Sequence, residues 1–182
     1  MPFVKTDIED LFIFEPQVWN DERGYFYESF NENTFKAAGI DSQFVQDNQA
    51  KSTFGVLRGL HYQTGAHAQA KLVRVISGEV LDVVVDLRPD SKTYGRSFSI
   101  ILSAENKKQL FVPRGFAHGY VVLSESAEFF YKCDNFYNKE AESGLIYNDD
   151  QLGIDWQLAS EDIILSEKDK VQPTFGNHKP VF

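Results

Sequence analysis

From residue 11 to residue 131 the chain is a series of short apolar and aromatic runs, each stopped within a few positions by proline, glycine or a polar cluster. Runs of this length suit strands and are too short for helices with a buried face. Residues 11–14 end at Glu15-Pro16, because proline cannot donate to a ladder. Residues 24–30 follow a turn at 21–24 and are dense in aromatics, and residues 44–48 resume an extended form. Residues 79–86 set Val80, Asp82, Val84 and Asp86 against Leu81, Val83 and Val85, a period of two that gathers the polar groups on one face. Further strands are predicted over 95–102, 109–112, 119–123 and 128–131. Helix formers closed by Gly39 predict a short helix over 33–39, and a helical turn is expected near 160–162. The pattern as a whole predicts an all-β sandwich or barrel with a few short helices.

With 182 residues the chain can build one full hydrophobic core and not two, so residues 1–182 are read as a single domain. A formal charge of -9 argues against a nucleic-acid backbone or an anionic membrane as partner, although a small anionic ligand could be held by locally gathered positive groups. Cys133 has no second cysteine to pair with, which fits a reducing, cytoplasmic setting. The N-terminal apolar run is far short of the roughly eighteen residues of a membrane helix.

Functional residues concentrate in the stretch 55–79, GVLRGLHYQTGAHAQAKLVRVISGE. Arg58 and His61 sit among Val56, Leu57 and Leu60; Lys71 precedes Leu72, Val73, Val75 and Ile76 on a neighbouring β-type segment. A charge placed where a strand buries hydrocarbon is either paired or functional. Alone, Arg58 or Lys71 would be read as a charge on a solvated rim; three such groups together point to a site. A second segment, Pro113-Arg114-Gly115-Phe116-Ala117-His118-Gly119, adds His118.

The pattern Pro-x-Gly-x-x-His, taken with Gly55-x5-His61 and the turn at Gly78, resembles the two motifs of the cupin superfamily, which implies a cupin-type jelly-roll barrel. Metal-binding cupins carry a second histidine two places after the first and a glutamate soon after. Here Gln63 and neutral residues around Gly65 and His67 stand there, so no metal is expected from His61 and His118 alone. The segments Phe44-Val45-Gln46-Asp47-Asn48, Leu57-Arg58-Gly59-Leu60-His61, Lys71-Leu72-Val73-Arg74, Val80-Leu81-Asp82-Val83, Leu102-Ser103-Ala104-Glu105-Asn106, residues 113–119 and Phe129-Phe130-Tyr131-Lys132 occur in one order. That combination resembles the dTDP-4-dehydrorhamnose 3,5-epimerase family, whose members are metal-free cupins.

The resemblance implies a substrate, dTDP-4-dehydro-6-deoxy-D-glucose, whose C4 ketone makes the C3 and C5 protons removable. It implies His61 as base, Asp169 as the carboxylate that orients it, Lys71 as stabiliser of the enolate and Tyr131 as proton donor from the opposite face. Arg23 and Arg58 fall at the diphosphate, Glu28, Gln46 and Asn48 at the thymidine side, and Tyr137 on the thymine ring. His118 lines the sugar pocket, with Glu142 and Lys168 as further ligand contacts. The resemblance also implies a homodimer with exchanged N-terminal strands and no cofactor. Two other readings stay open at this point: an epimerase inverting only C3 or C5 of another nucleotide deoxysugar, and a non-catalytic sugar-binding cupin.

Overall fold

The computed structural model describes residues 2–182. Strands β1 (Phe3–Lys5), β2 (Phe12–Phe14), β3 (Val18–Asp21) and β4 (Gly24–Tyr27) precede helix α1 (Glu32–Ala37). They are followed by β5 (Gln46–Thr53), β6 (Leu57–Gln63), β7 (Lys71–Ser77), β8 (Glu79–Asp86) and β9 (Ser97–Ser103). The series ends with β10 (Gln109–Val112), β11 (Phe116–Val122), β12 (Ser126–Cys133) and β13 (Glu142–Gly144). Short 3₁₀ turns lie at Gly65–His67, Ser160–Asp162 and Asp169–Val171. Among the described residues no helix is long and apolar enough to cross a membrane.

Two antiparallel sheets carry the fold, a six-stranded one in the order β1-β2-β10-β7-β12-β5 and a five-stranded one in the order β13-β6-β11-β8-β9. This is the jelly-roll arrangement, with the two sheets packed face to face. Between them lies a core that includes Val73, Val75, Val80, Val84, Leu110 and Phe129. Each sheet is also covered on its outer face. Helix α1, capped by the Asn31 side chain on the N–H groups of Asn33 and Thr34, presses Phe35 onto Phe14, Leu72 and Phe111. The C-terminal segment lays Leu152, Trp156 and Val181 on Leu81, Val83, Leu60 and Val121.

Double coverage explains the burial of β8. The alternation read over 79–86 holds, with Val80 and Val84 in the inter-sheet core and Leu81, Val83 and Val85 in the outer one, but both faces of β8 are buried and Asp82 and Asp86 are both 0% exposed. Asp86 is satisfied by Arg88, Ser91 and Thr93. The strand expected over 24–30 stops at Tyr27, because the chain then bends to place Phe30 against Phe35 and Phe44. The segments carrying His61 and Lys71 are not sheet neighbours: β6 and β7 belong to opposite sheets.

Glycine is required where β7 turns into β8. Gly78 has φ +79°, and a Cβ there would lie 2.1 Å from the Ser126 carbonyl oxygen. The outer core yields a direct stability expectation. Phe35 is 2% exposed and meets the rings of Phe3, Phe14 and Phe30. Phe35→Ala is expected to cost about 3–5 kcal/mol in denaturant unfolding, since the ring leaves a cavity that α1 cannot close.

Candidate active site

Cross-strand register determines which side chains share a face. On the six-stranded sheet, Tyr131 of β12 pairs with Val73 of β7 and Asn48 of β5, while Cys133 pairs with Lys71 and Gln46. Directly opposed residues project to the same side. Lys71, Tyr131, Gln46 and Asn48 therefore stand on the inner face together. On the five-stranded sheet, His118 of β11 pairs with His61 of β6, and Tyr120 pairs with Arg58 and with Asp82 of β8.

Arg58 and His61 are three residues apart, so an unbroken strand would send them to opposite faces. The register shifts between His118 and Tyr120, leaving one extra residue on β6. That residue is at Gly59, with φ +140° and no room for a side chain: a Cβ would lie 2.4 Å from the Gly119 Cα. The bulge keeps Leu57, Leu60 and Tyr62 in the outer core and turns both Arg58 and His61 inward.

Inside, two adjoining chambers of about 410 and 240 Å³ share His61, Lys71 and Tyr131. The larger also receives Arg58, His118, Lys168 and Asp169; the smaller receives Gln46, Asn48, Tyr137 and Glu142. Arg23 and Glu28 line neither chamber. Arg23 is on the exposed β3–β4 hairpin, engaged by Asp21 at 2.5 Å.

The chamber walls are tied by polar pairs. His61 Nε2 lies 2.5 Å from Asp169 Oδ1, and Asp169 Oδ2 accepts from the Ser166 hydroxyl at 2.9 Å. Burial pushes the Asp169 carboxyl up, but the His61 hydrogen bond and charge, Ser166 and Lys168 outweigh it and hold it below its usual value. An ionised Asp169 makes Nε2 the protonated nitrogen of neutral His61 and leaves the Nδ1 lone pair free. His118 Nε2 is likewise 2.9 Å from Asp82 Oδ2. Burial lowers Lys71, which lies 6.0 Å from the centre of the Tyr131 ring, and burial pushes the Tyr131 hydroxyl up to about 12. Arg58 Nε donates to Ser52 at 3.1 Å. At the mouth, Glu142 accepts from Lys168 at 2.6 Å and from the Tyr137 hydroxyl at 3.2 Å, while Gln46 Oε1 takes the Tyr137 N–H at 3.0 Å.

Asp169 is brought in by the C-terminal segment, which Ile164 joins to β6 through a parallel bridge with Val56. Ser166 was not legible as a site residue, although Ser-x-x-Asp spacing is the signal for a hydroxyl that caps the N–H three positions on, as it does here at 3.2 Å. Asp82 was legible as part of an alternation and of a family segment, without a site role. Among the described residues no group of three or more His, Cys, Asp or Glu side chains is placed to hold a metal.

Residues 5–177 match the family model described as dTDP-4-dehydrorhamnose 3,5-epimerase. The chain belongs to that family. A dTDP-4-dehydrorhamnose 3,5-epimerase of Shigella flexneri is 54% identical over 170 residues, covering 93% of each chain. The crystal structure of the dTDP-4-dehydrorhamnose 3,5-epimerase from Elizabethkingia anophelis NUHP1 is 57% identical, with a TM-score of 0.93 and 96% of each chain covered. A dTDP-6-deoxy-D-glucose-3,5-epimerase from Legionella pneumophila Philadelphia 1, solved in complex with dTDP-4-keto-L-rhamnose, is 48% identical with a TM-score of 0.92, covering 96% of this chain and 93% of its own. This member of the 3,5-epimerase family thus has the cupin-like jelly roll of its relatives.

The Asp169 environment carries a pH signature. Its carboxyl is depressed in the folded state, so its contribution is present above the unfolded value of about 3.9 and is lost as pH falls through the folded value. Asp169→Asn is therefore expected to be less stable than the parent at neutral pH, with the gap closing below about pH 4. Thermal unfolding of both proteins across pH checks this, and a gap independent of pH would refute the paired-carboxylate account.

Proposed function

We propose that this enzyme epimerises dTDP-4-dehydro-6-deoxy-D-glucose at C3 and C5, giving dTDP-4-dehydro-L-rhamnose for dTDP-L-rhamnose biosynthesis. The observation that carries the proposal is the convergence of His61, Lys71 and Tyr131, delivered from opposite sheets, at the junction of the two chambers. Inversion needs a base on one face of the sugar ring and an acid on the other. His61 and Tyr131 come from opposite sheets and line both chambers, which supports this reading.

In the proposed mechanism the free nitrogen of His61 removes the proton from C3 or C5, and the C–H electron pair moves into an enolate with its charge on O4. Asp169 stabilises the imidazolium that results. Lys71 places an ammonium near O4, where a partly desolvated charge is worth more than in water. Tyr131, held fully protonated by burial, gives its proton to the opposite face of the carbon. His118 meets the sugar, Arg58 the diphosphate, Gln46 and Asn48 the thymidine side, and Tyr137 the thymine ring, with Glu142 and Lys168 at the mouth. No cofactor is part of this scheme.

Arg23 and Glu28 fit the scheme through a homodimer in which the N-terminal hairpin is exchanged and reaches the partner's chamber. Trp19, Tyr25 and Phe26 on that hairpin are 55%, 58% and 70% exposed, an apolar surface suited to a second copy. A cytoplasmic location and a single domain over 1–182 complete the proposal.

Proton exchange tests the chemistry. In deuterated water the parent is expected to label both C3 and C5; labelling at one centre favours a single-centre epimerase, and no labelling a non-catalytic cupin. His61→Ala is expected to abolish exchange at both centres, because no enolate forms. Tyr131→Phe deletes only the hydroxyl, so exchange should persist while inversion falls by about 10²–10⁴-fold. Equal loss of exchange and inversion in Tyr131→Phe, with exchange kept in His61→Ala, would reverse the two roles.

Arg58 and Tyr137 line different chambers, whereas a dTDP-sugar carries its diphosphate between sugar and base, so the two assignments need separate tests. By calorimetry, Arg58→Ala is expected to weaken dTDP binding by about 1.5–3 kcal/mol through loss of a charge-assisted contact. Tyr137→Ala should weaken it through lost stacking. A variant that binds dTDP like the parent removes that residue from the nucleotide site.

A further inference from the structure

Among the described residues, two buried side-chain atoms have no hydrogen-bond partner, Asp82 Oδ1 and Tyr120 Oη. These residues oppose each other directly across β8 and β11. Asp82 is the more consequential of the two. It is 0% exposed, flanked by Val80, Val84 and Tyr120, and its single hydrogen bond is to His118. A carboxylate kept in such a place with one oxygen unpaired is a cost to folding that a neutral residue would avoid. Charge on the facing sheet supplies a reason for its presence.

Lys71 pairs in register with Cys133, lies 6.0 Å from the centre of the Tyr131 ring and lines the same chamber as His118 and Tyr120, the two residues that Asp82 stands against. Burial lowers the ammonium, and Cys133, Asp82 and Glu142 oppose that in this order. Cys133 is pushed up by its own burial and is a neutral thiol at neutral pH. Glu142 is already engaged by Lys168 at 2.6 Å. Of these groups Asp82 is then the carboxylate that, among the described residues, has no lysine or arginine bonded to it. Burial pushes the Asp82 carboxyl up, and His118 and then Lys71 push it back down.

We propose that Asp82 is a positioning residue of the site: its carboxylate is the internal counter-charge that holds Lys71 as an ammonium, and its hydrogen bond fixes the His118 ring with Nε2–H turned inward and Nδ1 left for the ligand. The unpaired oxygen is the trace of this arrangement, because Asp82 acts on Lys71 through its field and not through contact. It touches no reacting atom. Its influence on the chemistry rests on the epimerase reading, but its influence on Lys71 does not.

The test compares the parent with Asp82→Asn, which keeps shape, and Asp82→Leu, which removes the unpaired oxygen altogether. Competitive acetylation of lysines, read by mass spectrometry across pH, reports the ionisation of each amine. Lys71 is expected to become reactive at lower pH in both variants, while exposed Lys92 is unchanged. For the reaction, kcat should fall by about 10²–10³-fold, the range for loss of one electrostatic stabiliser, with KM and dTDP affinity held. The unfolding temperature should stay level or rise, since a desolvated charge has gone. A Lys71 profile identical to the parent's overturns the proposal. So does a loss of kcat that comes with lost thermal stability and lost dTDP binding, or failure of both variants to fold, because each makes Asp82 structural. An inactive parent would refute the epimerase reading instead, and the labelling profile would still decide the role of Asp82.

Discussion

A charge held between two β-sheets must find a partner, keep contact with solvent or give up its charge. Much of this structure follows from that constraint. His61 is met by Asp169, His118 by Asp82, Glu142 by Lys168, and Arg58 by the Ser52 hydroxyl. Lys71 stands at the centre, where burial lowers its ammonium and Cys133, Asp82 and Glu142 oppose that. The inter-sheet space accordingly divides into an apolar part, around Val73, Val84 and Phe129, and a polar part beside it.

The partners come from distant parts of the chain, which ties the site to the whole fold. Asp169 arrives on a segment that also covers the outer face of the five-stranded sheet with Leu152, Trp156 and Val181. The outer core therefore does more than bury hydrocarbon: it anchors the segment that supplies the carboxylate. On the other sheet, α1 packs Phe35 over Leu72, the neighbour of Lys71, so outer packing again stands directly behind a site residue. Strands β8 and β11, buried on both faces, are the rigid wall against which His118 and Asp82 are held.

The bulge at Gly59 shows how little backbone change is needed to build a site. One extra residue on β6 moves His61 onto the same face as Arg58 while leaving Leu57, Leu60 and Tyr62 in the outer core. Gly119, opposite it, has Arg58 O 2.8 Å from where a Cβ would stand. Two glycines face to face let the strands approach at the point where the pairing slips.

Short runs of apolar residues broken by turn residues determined the all-β class, because nothing longer than a strand fits between the breaks. The order of the motifs around His61, Lys71, His118 and Tyr131 determined the family. Which faces these residues occupy was decided only in three dimensions. Period-two reading separates Arg58 from His61, and only the bulge reunites them; it also groups Asp82 with Val80 and Val84, but that this side of β8 faces the other sheet, and that C-terminal chain covers the opposite side, was decided by tertiary packing. Sequence spacing cannot show that β6 and β7 lie in opposite sheets, that Ser166 steadies Asp169, or that Asp82 stands against His118 with one oxygen unpaired. Such facts depend on contacts between residues far apart in the chain, and local preference carries no information about them.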